Sequence, residues 1–228
     1  MKSVPILYED ENFLIFNKPA GLPVQGGKGI KTSLDTLLAQ CRKERPLLVH
    51  RLDKDTSGVI VTAKTTASAA ACSAFFSGQK QGLKKNYLAF CAGLLNESGI
   101  INEKITIKGK GKTLNAETFY TRKGSAVLIE SGEKEPVNVS LAEIMPFTGR
   151  MHQIRRHLAQ SGHPILGDDK YGDFALNKTL KKTLGIKKLL LHALSIYLPS
   201  PLIKGGLEIT APLPDYFREL IEKTGIKQ

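Results

Sequence analysis

Apolar and polar positions along the chain set out a run of short elements. Ile6-Leu7-Tyr8 and Phe13-Leu14-Ile15-Phe16, joined through Glu9-Asp10-Glu11-Asn12, predict a β-hairpin. A loop rich in Pro and Gly follows from Lys18 to Gly29, and Ser33 is placed to cap a short helix running toward Cys41. Leu47-Leu48-Val49 and Val59-Ile60-Val61 are strand-like runs on either side of a charged turn. Thr65 to Phe76 is Ala-rich, with Ala67, Ala71, Ala74 and Phe75 at helical spacing. Lys84 to Phe90 returns to strand character. From Ile100 to Met145, β-branched residues and turn signals predict several antiparallel strands, with Ile101, Ile105 and Ile107 on one strand face and Phe119, Val127, Ile129, Val137 and Val139 continuing the pattern. Arg150 to Gln160 reads as a helix stopped by Gly162, and Asn177 to Leu184 as a second, basic helix. Leu189 to Leu198 and Leu207 to Thr210 read as strands. Pro214-Asp215 opens a last helix through Lys223, with Leu213, Phe217, Leu220 and Ile221 on its apolar side. No repeat or low-complexity linker interrupts this order, so residues 1–228 are expected to form a single α+β domain with a large mixed, mostly antiparallel sheet.

On a helical wheel the Arg150 to Gln160 segment carries an anomaly. Met151, Ile154 and Leu158 form an apolar stripe, Arg155 falls within it, and Gln153, Arg156 and Gln160 lie opposite. A cation on the core side is costly without a partner, so Arg155 is expected to pair with a carboxylate in bidentate fashion. Asp53 is the candidate partner.

Composition narrows the class. Lys and Arg number 33 against 21 Asp and Glu, a formal net charge of +12, which favours a polyanionic partner such as nucleic acid. Cys41, Cys72 and Cys91 lack pairing or metal-ligand spacing, which fits a reducing, cytoplasmic setting. No apolar run approaches the roughly 20 residues a membrane span requires. His152 and His157 do not have metalloprotease spacing, Gly26-Gly27 and Gly29 are too sparse for a phosphate loop, and Ser57 lacks the context of a hydrolase nucleophile, so neither metal nor cofactor is expected.

The charged turn is the most informative stretch. His50-Arg51-Leu52-Asp53-Lys54-Asp55-Thr56-Ser57-Gly58 sets a carboxylate among cations between two rigid runs, a common setting for chemistry.

Three blocks together resemble the RluA family of RNA pseudouridine synthases. His50-Arg51-Leu52-Asp53 through Thr56-Ser57-Gly58 resembles the family's catalytic loop, and Lys85-Asn86-Tyr87 its basic-x-Tyr strand. Gly149-Arg150-Met151-His152-Gln153-Ile154-Arg155, with Gly162-His163-Pro164-Ile165, Gly167-Asp168 and Tyr171-Gly172, resembles its third block. Asn17-Lys18-Pro19 with Gly21, and Leu191-His192-Ala193, are smaller matches, so the resemblance runs in order from about Ile6 to Pro212. Met151 departs from the family's usual Thr or Ser; its place on the apolar stripe predicts altered packing rather than lost activity. Only five residues precede the first strand, so the appended RNA-binding domain of many relatives is expected to be absent.

The resemblance implies a pseudouridine-synthase-like fold, with helices flanking the sheet and a central active-site cleft. It implies isomerisation of uridine to pseudouridine in structured RNA without metal, nucleotide or redox cofactor. The N-glycosidic bond breaks, the base turns, and C5 bonds to the same ribose carbon. Asp53 becomes the catalytic carboxylate, either a nucleophile or a base that removes a ribose proton. Arg155 is the neighbouring cation that keeps it ionised. Tyr87 is the active-site aromatic, and Leu191 or Ile154 packs under the base. The target must be flipped out of its stack at a cost of a few kcal/mol. Arg51 resembles the residue that fills the gap, and His50, Lys85, Arg150 and Arg156 are candidate RNA contacts, His50 with a structural role weighing slightly more. Basic runs at Lys84-Lys85, Lys108 to Lys112 and Lys178 to Lys188 are further backbone contacts. Ribosomal RNA is favoured over transfer RNA as the source of the target stem-loop, and a monomer is the default. The competing class is a non-catalytic RNA-binding module on the same scaffold.

Overall fold

A computed structural model describes residues 4–27, 29–41, 45–106, 111–128 and 136–226. In chain order the elements are β1 (Ile6–Glu9), β2 (Phe13–Lys18), α1 (Leu34–Cys41), β3 (Leu47–Leu48), β4 (Ser57–Ala63), α2 (Thr66–Phe76), β5 (Lys84–Ala92), β6 (Ser98–Ile101), β7 (Ile105–Thr106), β8 (Thr113–Leu114), β9 (Thr118–Val127), β10 (Asn138–Pro146), α3 (Gln153–Gln160), α4 (Phe174–Thr183), β11 (Leu191–Leu198), β12 (Leu207–Thr210) and α5 (Asp215–Thr224). Ten of these strands belong to a large, mostly antiparallel sheet, as the α+β expectation required. By its internal contacts the chain divides into two compact units, residues 1–85 with 192–213 and residues 86–191 with 214–228.

The first unit orders its strands β1-β2-β4-β11, with β3 beside β4 and β12 beside β11. All pairs are antiparallel except β4 with β11, where His192 lies opposite Ser57 and Ala193 opposite Gly58. The predicted hairpin is β1 and β2. Phe13, Ile15, Val59, Val61, Phe75, Ile196, Leu198 and Ile209 share one core. The Ser33 hydroxyl accepts from Thr36 N–H at 3.2 Å, as the capping expectation had it. Thr65 and Ser68 form a reciprocal capping box at the start of α2. The buried face of α2 is Ser68, Cys72 and Phe75, whereas Ala67 and Ala71 are exposed. An alanine-rich helix has little contrast between its faces, so spacing alone misplaced this one.

The second unit orders β5-β10-β9-β6, all antiparallel, with β7 and β8 as a separate pair. Ile101 and Ile105 therefore belong to different strands rather than to one face, because 102–104 interrupt them; Ile107 and Ile129 lie outside the described residues. Helix α3 packs on β9 and β10, and α5 on β9. Leu88, Phe90, Leu141, Ile144, Leu158 and Phe217 are buried here, with the Phe90 and Phe217 rings 5.5 Å apart. Asp173 caps α4 by accepting from Leu176 N–H at 2.9 Å, so the basic helix starts at Phe174, three residues earlier than its charge pattern indicated. Phe217 and Leu220 are buried on α5, as expected.

Candidate active site

The first group of candidates lies on the loop between β3 and β4. Leu52 and Thr56 are buried and anchor it, Asp53 and Asp55 are half-buried, and Arg51 and Lys54 are exposed. The Asp53 carbonyl accepts from Thr56 N–H at 3.2 Å and closes the turn. The loop is tied down by Lys18, the last residue of β2 and fully buried. Its ammonium donates to the carbonyls of Pro19, Leu22 and Lys54 at 3.0, 2.9 and 3.0 Å. Three N–H donors meet three acceptors, which only the charged amine can satisfy. Burial pushes Lys18 down to about 8, against the pull of Asp55 and Asp53. Gly21 N–H joins Lys18 on the Lys54 carbonyl at 2.9 Å.

His50 serves the same loop. Its Nε2 accepts from Val61 N–H at 2.9 Å, continuing the ladder that β3 begins on β4, and its ring stacks on Phe76 at 4.1 Å. Burial, with Lys85 nearby, holds it down to about 3, so the ring is neutral. Burial likewise lowers Lys85, itself half-buried, to about 8. Arg51 reaches the Gln25 side chain at a long 3.5 Å. Beyond the loop, Ser57 Oγ lies 2.8 Å from His192 Nδ1 and His192 Nε2 lies 3.3 Å from the Ala211 carbonyl. The carbonyl needs the proton on Nε2, so Ser57 is the donor to Nδ1. Burial brings His192 to about 4. Gly58, at φ +111°, is required here, since a Cβ would sit 2.1 Å from the Ala193 carbonyl oxygen.

The second group lies in the other unit. Tyr87, on β5, is half-buried opposite Ile144 of β10. Arg155 is buried at 4% exposure, as its place on the wheel required. The carboxylate described against it is Asp168, 1% exposed, which the wheel did not single out. Nε and Nη2 of Arg155 donate to the two Asp168 oxygens at 2.7 Å each, and Nη2 also reaches Asp169 at 3.3 Å. Asp168 further accepts from Lys170 and Tyr171 N–H at 2.9 and 3.0 Å. Burial alone would raise this carboxyl; the guanidinium and the two amides outweigh it and hold it below the usual range. Asn177 fixes the loop by accepting from Gly167 N–H at 2.8 Å and donating to the Asp168 carbonyl at 2.9 Å. Gly167, at φ +74°, lets the chain pass where a Cβ would lie 2.0 Å from the Lys188 carbonyl oxygen. The Tyr171 ring sits 5.4 Å from the guanidinium carbon, and its hydroxyl is 3.1 Å from His152 Nδ1.

Helix α3 begins at Gln153, three residues later than periodicity predicted, because His152 takes a left-handed φ of 54°. Met151 is consequently off the apolar stripe and 58% exposed, and Gln153, expected on the polar side, is 4% exposed. Ile154 and Leu191 are both buried. Arg150 is exposed and donates to the Asn115 carbonyl at 3.3 Å; Arg156 is half-buried and donates to the Thr106 carbonyl at 3.0 Å. His157 is held between Thr118 Oγ1 and the Glu103 carbonyl, both at 2.9 Å. Among the described residues no group of three His, Cys, Asp or Glu is placed to hold a metal, and no helix is long and apolar enough to cross a membrane. Lys18, Gln153 and Asp168 are buried polar residues of these two groups to which the sequence assigned no role. The signal for Asp168 was its block, Gly167-Asp168 with Tyr171-Gly172.

Residues 12–160 match the family model described as RNA pseudouridylate synthase. Ribosomal large subunit pseudouridine synthase C of Buchnera aphidicola subsp. Schizaphis graminum is 38% identical over 234 residues, covering 95% of this chain and 69% of that protein. The protein of the same name from Rickettsia typhi is 35% identical over 217 residues, covering 93% and 69%. The solved structure of human RNA pseudouridylate synthase domain containing 4 superposes with a TM-score of 0.78 at 28% identity, over 98% of this chain and 94% of that one. Human RNA pseudouridylate synthase domain containing 1 has the same fold, with a TM-score of 0.72 at 24% identity over 93% and 84%.

Proposed function

The chain belongs to the RNA pseudouridylate synthase family, and on that premise we propose that it isomerises uridine in large-subunit ribosomal RNA with Asp53 as the catalytic carboxylate. The relatives carry the choice of RNA: those aligned over 95% of this chain are named for the ribosomal large subunit. A formal net charge of +12 suits that substrate.

Asp53 is the nucleophile or the base that acts on the ribose. Lys18 supports this role by fixing the neighbouring Lys54 carbonyl and placing a buried cation near the carboxylate. Arg155 is the active-site cation of the same reaction. Asp168 supports this by fixing two of the guanidinium nitrogens, so the group is oriented before substrate arrives. Tyr87 stacks on the uracil and takes part in proton removal at C5, and Leu191 or Ile154 packs under the base. Arg51 fills the gap left by the flipped nucleotide, and Lys85, Arg150 and Arg156 contact the RNA backbone. His50 acts through the loop it shapes.

The test is tritium release from C5 of labelled uridine in large-subunit RNA. Wild type releases tritium, and Asp53→Asn lowers the rate by about 10³-fold or more while RNA binding persists. Persistent release in that variant removes the assignment of Asp53. RNA binding by wild type without release from ribosomal or transfer RNA returns the reading to a non-catalytic module.

A further inference from the structure

The segment joining β10 to α3, residues 147–152, combines two properties that rarely occur together. It displays large apolar side chains to solvent, and it has no slack with which to bury them. Phe147 is 63% exposed and Met151 58%. Scattered exposed apolar residues are ordinary. These two lie four residues apart on a segment held at nearly every step. Phe147 N–H donates to the Glu117 carbonyl at 3.0 Å, and Glu117 N–H to Thr148 Oγ1 at 3.2 Å. The buried Gln153 amide accepts from Thr148 Oγ1 and Arg150 N–H at 2.6 and 3.0 Å. It donates to the Glu117 carbonyl and Thr118 Oγ1 at 2.9 and 3.0 Å. Both lone-pair sites and both N–H groups of that amide are used, so the segment cannot retract without leaving buried polar atoms unmatched. His152 ends the segment in a left-handed conformation that non-glycine residues rarely adopt.

Between the two apolar residues stands exposed Arg150. Large apolar side chains beside a guanidinium, on a preorganised surface of a basic protein, suit an unpaired nucleotide: the base stacks and the phosphate is neutralised. We propose that residues 147–151 form a base-reading segment, in which Phe147 and Met151 pack on an unpaired base of the substrate RNA and help set which stem-loop is accepted. The proposal rests on the RNA substrate reading above. Met151 is the position where the family resemblance leads one to expect Thr or Ser, and the longer apolar side chain offers a base more surface than either would.

The chain contains no tryptophan, so F147W creates a unique fluorescent probe. Its emission is expected to be quenched by large-subunit RNA over the concentration range in which the RNA binds. F147A should raise KM roughly tenfold, with a smaller change in kcat, as expected for loss of a stacked base. The salt dependence of binding should stay as in wild type for F147A, whereas R150A should flatten the log–log salt slope by about 0.7 to 0.9, the value of one phosphate contact. M151T should shift the relative rates on two different stem-loops. The contact is overturned if bound RNA leaves the F147W emission unchanged, or if F147A retains the wild-type KM. Tritium release by wild type on the same RNA separates the two readings. Release without quenching overturns the contact alone, whereas quenching without release upholds the contact and overturns the substrate assignment.

Discussion

Among the described residues, Lys18 in the first unit and Arg155 in the second are buried cations, and the two are satisfied by opposite means. Lys18, in the first unit, directs its ammonium at three neutral backbone carbonyls. Arg155, in the second, is gripped by the two oxygens of one carboxylate. The lysine site depends on the path of the chain, because its acceptors are main-chain atoms of residues 19, 22 and 54. The arginine site depends on side chains, Asp168 in bidentate contact and Asp169 at 3.3 Å. A carbonyl that loses its donor is an unsatisfied dipole, whereas a buried guanidinium that loses its bidentate carboxylate gives up its closest counter-charge, and the second is costlier.

That contrast is broken most severely by Asp168→Ala. Removing one partner of a buried pair should destabilise the protein by about 3–5 kcal/mol, read by denaturant unfolding. Activity should fall with it, because the guanidinium loses its orientation. Replacing both partners, as R155M with D168L, should recover most of the stability and none of the activity. Recovery of activity in the double variant would show that Arg155 has no chemical role.

Lys18→Met should cost less, about 2 kcal/mol, since it leaves neutral carbonyls unmatched and also removes a charge from the interior. Lys18→Arg should not rescue it, because a planar fork cannot aim three N–H groups at acceptors gathered around one nitrogen. Full stability in Lys18→Arg would mean that the charge alone, and not its geometry, holds the loop.

The smallest effect is the response to acid. His50 and His192 stand near 3 and 4 in the folded first unit, below the ordinary value of about 6.5. Protons therefore bind the unfolded chain first. The stability contributed by these neutral rings is full above about pH 6.5 and is lost as the pH falls toward 4 and then 3. Asp168, held below the carboxylate range, contributes stability above about pH 4 that is lost only as the pH falls through its folded value. His157, in the second unit, is likewise lowered by burial. Hydrogen exchange near pH 5 should thus show β4 and β11 loosening before the 167–172 loop, and His192→Gln should flatten the acid side of the stability profile. An unchanged profile would exclude His192 as a titrating group.

Much of this was legible in the chain. The β1–β2 hairpin, the cap at Ser33, the charged turn at 50–58 and the buried face of α5 follow from local pattern, since each is decided by neighbours within a few residues. Arg155 announced itself as a cation on an apolar stripe, and its need for a carboxylate followed from desolvation. The choice of Asp168 did not follow, because it depends on a loop that returns the chain 13 residues later. Lys18 read as the start of a Pro- and Gly-rich loop, yet one of its acceptors lies 36 residues away. His192 meets Ser57 across 135 residues, through the single parallel ladder of the first unit. Met151 went the other way: periodicity placed it inside, and a left-handed residue at 152 delayed the helix and left it outside. Sequence by itself settled which positions are apolar, which turns are charged and which cation must be paired. Tertiary structure alone decided the partners, because a buried charge fixes what it needs locally while the acceptor that reaches it is delivered by the path of the whole chain.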